Sequence, residues 1–187
     1  MDVKQFIQTG LENVKRVTDR ALDGLTPTEL KWQPRPDANS IGLILFHMTR
    51  MEDGLIQFLI QRKPQIWETE KWYDKLGKPK TDTGSHYTPE QVASFQVPNL
   101  KDLQEYGIAA RQKTLEFLQS LTPEKLDMKV ELPPMGPPPG PAGQAGPPRR
   151  PPFEPIVGPM LVALVTHLAQ HAGEICYLRG LQRGMDK

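Results

Sequence analysis

The chain has 187 residues and near-balanced charge, 23 Lys and Arg against 22 Asp and Glu. That length suits one domain with a sizeable core, and the balance excludes a field favouring nucleic acid or an anionic membrane. Cys176 is the single cysteine, so no intramolecular disulfide exists, and the usage suits a reducing compartment.

The opening MDVKQFIQTG lacks an apolar stretch of signal-peptide length. Ile7, Leu11, Val14, Ala21 and Leu25 recur at helical spacing and predict a first long helix. Thr26-Pro27-Thr28-Glu29 combines a cap, a first-turn proline and a capping-box glutamate, predicting a short helix through Leu30. Asn39 or Ser40 then caps a second long helix, Ile41 to about Gln61, with an inward stripe of Ile44, His47, Met48, Met51, Leu55, Phe58 and Leu59. Residues 62–87 read as loop with a helical turn in WETEKWYDKLG; its Trp67, Trp72 and Tyr73 either wall a pocket or pin the loop. Thr88-Pro89-Glu90-Gln91 opens another short helix. Asn99 caps a third long helix facing inward through Leu103, Ala110, Thr114, Phe117 and Leu121.

Residues 133–155 contain 11 prolines and read as an inserted loop of polyproline character. A fourth long helix follows, about Met160 to Leu181. Its longest apolar run, 156–165, is broken at Gly158-Pro159 and far short of a membrane span. The expectation is a single all-α domain over 1–187, a four-helix bundle with a proline-rich loop between the third and fourth long helices. A weak repeat supports it: LTPTEL (Leu25–Leu30) and LTPEKL (Leu121–Leu126) each precede a helix bearing histidine. Discounting the proline-rich stretch, His47 and His167 fall at nearly equivalent places, and the two are expected to face one another.

The fourth helix carries THLAQHAGE. At about 100° per residue, His167, His171 and Glu174 share the face of Met160, Leu164 and Leu178. Three of the chain's four histidines, His47, His167 and His171, thus lie on inward faces of helices expected to meet. Unpartnered, each buried imidazole costs about 1–3 kcal/mol. A shared zinc or nickel ion removes that cost and, with three protein ligands, keeps a coordination position for water or substrate. Hydrogen-bonded core histidines are the alternative.

Glu174 either orients a histidine, acts as a catalytic base, or lies in solvent at the core's edge. Glu52 and Asp53 project about 140° and 120° from His47 and are expected in solvent, while Arg50 lies nearer and is a candidate for an anionic substrate group. His86 reads as a surface loop residue. Cys176 is expected to be neither ligand nor nucleophile. It belongs to a small-residue stripe, Ala169, Ala172, Gly173, Cys176 and Gly180, that packs within the bundle or forms a dimer seam.

WQPRPDANSIGLILFHMTRMED (Trp32–Asp53) and THLAQHAGEICYLRGLQRG (Thr166–Gly184) resemble the two signature regions of the DinB/YfiT-like superfamily, and WETEKWYDKLG and TPEQVASF also fit. The resemblance fails over the proline-rich stretch. It implies a four-helix bundle, commonly a homodimer, holding a divalent metal through His47, His167 and His171. It implies an enzyme that uses a low-molecular-weight thiol as cosubstrate in S-transfer to a small-molecule substrate, or a metal-dependent hydrolase. The cysteine usage and the lack of a signal-length or membrane-length apolar stretch lead to the expectation of a cytoplasmic protein. The remaining alternative is a non-catalytic metal-binding or interaction protein; no nucleic acid or membrane partner is expected.

Overall fold

The computed structural model describes residues 2–131 and 155–184. In chain order the helices are α1 (Val3–Leu22), α2 (Pro27–Lys31), α3 (Ile41–Asp53), α4 (Ile66–Thr69), α5 (Trp72–Lys75), α6 (Pro89–Ala93), α7 (Leu100–Gln119), α8 (Pro123–Leu126) and α9 (Val157–Arg183). The described residues contain no β-strand, only an isolated antiparallel bridge between Lys129 and Ile156. The fold is all-α. The proline-rich stretch expected as an inserted loop lies outside the described residues except for Pro155. No described helix is long and apolar enough to cross a membrane.

The caps follow from the sequence. Thr26 and Thr88 form capping boxes with Glu29 and Gln91, and Ser40, Asn99 and Thr122 accept backbone N–H groups at the starts of α3, α7 and α8. Each cap contributes about 1 kcal/mol. Ile7, Leu11, Val14 and Ala21 of α1 bury against α9, and Leu103, Ala110, Thr114 and Phe117 of α7 bury against α3 and α1. α3 also packs on α9, so its two sides meet different neighbours.

The second long helix departs from expectation after Asp53. Gly54–Ile60 is π-helical, with Gln61 N–H bonded back to Ile56 O. The wider i→i+5 turn rotates later side chains out of phase with the α-helical stripe. Gln57 is therefore buried, and Phe58, expected inside, is 44% exposed.

Glu52 and Asp53 are likewise buried rather than solvated. Each has a partner on another element. Arg111 of α7 donates Nε and Nη2 to Glu52 at 2.6 and 2.8 Å, and Thr114 adds its hydroxyl at 2.7 Å. Asp53 accepts Ile66 and Trp67 N–H groups at 3.1 and 3.0 Å, capping α4, and the Tyr106 hydroxyl at 2.8 Å. An angle measured from His47 leads to solvent only for a helix with one packed side. With α7 and the α4 segment on its far side, α3 has little solvent face here.

The small-residue stripe of α9 also points elsewhere than into the bundle. Ala172 is buried, but Ala169, Gly173 and Cys176 are exposed, and apart from the neighbouring residues and backbone of α9 itself nothing lies within 4 Å of where a Cβ would stand on Gly173 or Gly180. Val162, Tyr177 and Leu181 are exposed beside them.

Candidate metal centre

His47 comes from α3 and His167 and His171 from successive turns of α9, at the α3–α9 interface. All three are half-buried, and one ligand nitrogen from each lies within 4.8 Å of the others. The ring centroids are 5.0, 4.8 and 4.5 Å apart for the pairs 47–167, 47–171 and 167–171. His47 Nε2 and His167 Nε2 face each other at 3.0 Å. A tetrahedral ion with bonds of ~2.1 Å separates its donors by about 3.4 Å. The arrangement therefore fits one ion with small ring movements.

Two of the rings are oriented through their other nitrogen. His47 Nδ1 lies 2.7 Å from Gly84 O and 3.2 Å from Ser85 Oγ. A carbonyl only accepts, so Nδ1 carries the proton and Nε2 presents a lone pair. His171 Nδ1 donates to Glu174 Oε2 at 2.7 Å, so in the neutral ring Nε2 is the atom left to bind a metal. Such outer partners fix the tautomer that a metal ligand needs. Burial lowers the His47 pKa below the ordinary imidazole value, and burial followed by repulsion from His171 and His47 lowers that of His167 to about 4. Both rings are thus neutral near pH 7, the form that binds metal.

The loop that reaches His47 was not legible as part of the site. Gly84 has φ +71, and a Cβ there would stand 2.8 Å from Arg50 Cβ and Cγ, so only glycine fits. Asp82 holds the loop, accepting Gly84 N–H at 2.9 Å and the Tyr87 hydroxyl at 2.5 Å. The Thr-Gly-Ser-His run was the available signal, but nothing in it announces a partner 37 residues upstream.

Other sequence candidates fall outside the centre. Arg50 is 6% exposed and fully engaged: Nη1 donates to Gln65 Oε1 at 2.7 Å and Tyr106 Oη at 3.1 Å, and the guanidinium lies 4.3 Å over Trp67. It braces the loop under the site and has no face for a substrate anion. Trp67 and Trp72 are buried, with Trp72 stacked on Tyr106 at 5.2 Å, so these aromatics pin the loop. His86 is exposed, as expected, yet stands at the rim of the cavity over His47 and His171. Glu174 reaches His171 with its side chain 51% exposed.

A family model described as the DinB superfamily matches residues 11–175. A crystal structure of a conserved protein from Enterococcus faecalis matches with a TM-score of 0.75 and 22% sequence identity, covering 97% of each chain, a likeness of fold. No curated protein matches.

Proposed function

The chain belongs to the DinB superfamily, and from that premise we propose that it is a divalent-metal-dependent enzyme in which His47, His167 and His171 hold zinc or nickel. The observation that carries the reading is the convergence of three imidazoles from two helices, with the Nδ1 atoms of His47 and His171 already committed to Gly84 O and Glu174. An ion held there supplies Lewis acidity, which lowers the pKa of a small thiol or of water at neutral pH.

The chain's own residues do the rest. Glu174 acts through His171, fixing its tautomer and raising its basicity as a ligand. Gly84 O does the same for His47. Ile44 and Val92 line the cavity above the two rings and limit the water that reaches them. S-transfer from a low-molecular-weight thiol to a small electrophile is the favoured reaction. A homodimer is proposed through the outward row of α9, where Val162, Ala169, Gly173, Tyr177 and Leu181 leave an apolar, low-relief strip at the surface.

The test uses protein reconstituted with zinc or nickel, a chromogenic aryl halide and an activated ester. Product formation that requires both metal and an added thiol, and is lost in His167→Ala, supports transfer. Ester turnover in metal-containing buffer without thiol replaces transfer by hydrolysis. Neither activity, in protein carrying its full complement of metal, overturns the enzymatic reading.

A further inference from the structure

The cavity over His47 and His171 has a volume of about 230 Å³. Its floor includes His47 and His171, and its apolar wall Ile44 and Val92. No lysine, arginine, aspartate or glutamate lines it. Of its remaining polar side chains, Ser85 is engaged with His47 and Tyr87 with Asp82. That leaves Asn39 and His86, both exposed and, among the described residues, without a side-chain hydrogen bond.

His86 is held where it is by strained backbone. Its φ is +61, in the left-handed region that disfavours side chains other than glycine's, two residues after Gly84 in the same region. The loop is anchored on both sides of it, by Gly84 O on His47 and by the Tyr87 hydroxyl on Asp82. Glycine would satisfy that backbone at lower cost. The imidazole lines the same cavity as His47 and His171. An unpartnered donor is thus fixed at the mouth of a cavity that offers substrate no charged side chain.

We propose that His86 is a specificity-determining residue of the centre. Its ring N–H donates to a carboxylate or carbonyl oxygen of a small thiol-bearing substrate whose sulfur end lies at His47, His167 and His171. The inference rests on the metal-centre reading above and extends it to the substrate class.

The experiment uses the full chain reconstituted with cobalt(II), whose visible absorption reports the ligand set, titrated with mercaptoacetate and with propanethiol. His86→Ala is expected to bind cobalt as the parent does, with the same spectrum. Its affinity for mercaptoacetate should fall about tenfold, the loss of one hydrogen bond to a charged group, with propanethiol affinity unchanged. His86→Gln, which keeps a donor, should recover most of the difference. Equal mercaptoacetate affinity in parent and His86→Ala overturns the proposal. So does loss of cobalt from His86→Ala, which would make His86 a ligand. A parent chain that takes up no cobalt defeats the metal reading itself, a separate result.

Discussion

His47 Nε2 and His167 Nε2 lie 3.0 Å apart across the α3–α9 interface. Because His47 Nδ1–H is committed to Gly84 O, His47 Nε2 can only accept, and in metal-free protein His167 Nε2–H donates to it. An ion held there would require that proton to move to His167 Nδ1, a change of tautomer. The consequence is that ligand geometry, the His167 tautomer and the Thr83–Tyr87 loop are coupled, and each can be perturbed separately.

Glu174→Ala removes the acceptor of His171 Nδ1–H while leaving the three imidazoles in place. Metal affinity should fall about 10–100-fold. Glu174→Gln should lie between, since an amide oxygen still accepts. Competition titration with a chromophoric chelator measures both; unchanged affinity in Glu174→Ala would remove this residue from the site.

The metal-free chain should lose stability as pH falls through the window between 6.5 and about 4. The folded pKa of His167 is about 4, below the ordinary imidazole value of 6.5. In that window the unfolded chain binds a proton that the folded chain does not, so stability rises with pH there and is flat with respect to this group above it. The half-exposed ring moderates the size of the effect. Thermal melts at stepped pH should show a shallower slope for His167→Gln than for the parent. Bound zinc should be released over the same acid range, because protons compete for its ligands.

Gly84→Ala places a Cβ 2.8 Å from Arg50 Cβ and Cγ and forces alanine to φ +71. The backbone strain alone costs about 1–2 kcal/mol. The loop should yield before buried Arg50 does, withdrawing Gly84 O from His47. The expected outcome is a small loss of thermal stability with a larger, separable loss of metal affinity. A full retention of metal affinity would show that Gly84 O does not orient His47.

Glu52→Gln leaves Arg111 with no carboxylate partner in a largely buried position. Destabilisation of about 3 kcal/mol is expected from chemical denaturation. Metal stoichiometry of the folded fraction should not change, because the pair lies on the side of α3 away from His47.

Helix positions, caps and the meeting of α3 with α9 were legible because local chemistry writes them directly: Thr26, Ser40, Thr88 and Asn99 each cap where their side chains dictate. The convergence of His47, His167 and His171 followed from helical periodicity and the LTPTEL/LTPEKL repeat, and the DinB resemblance strengthened a ligand assignment already made from spacing. Most of the misses share one cause. Glu52, Asp53 and Arg50 find partners on α7 and the α4 segment, and Gly84 finds His47 across the fold. Such partners depend on how distant segments pack, which helical spacing does not encode. Phe58 was misplaced because a π-helical turn has no signature in the spacing of apolar residues.

Equilibrium metal binding tests the centre most directly. Purified, chelator-free chain is dialysed against zinc or nickel and its metal counted, beside His47→Ala and His171→Ala. One ion per parent chain, lost in both variants while their helical content persists, is the outcome expected of a shared three-imidazole site. Negligible metal in the parent, or retention by His47→Ala at parental affinity, would contradict it.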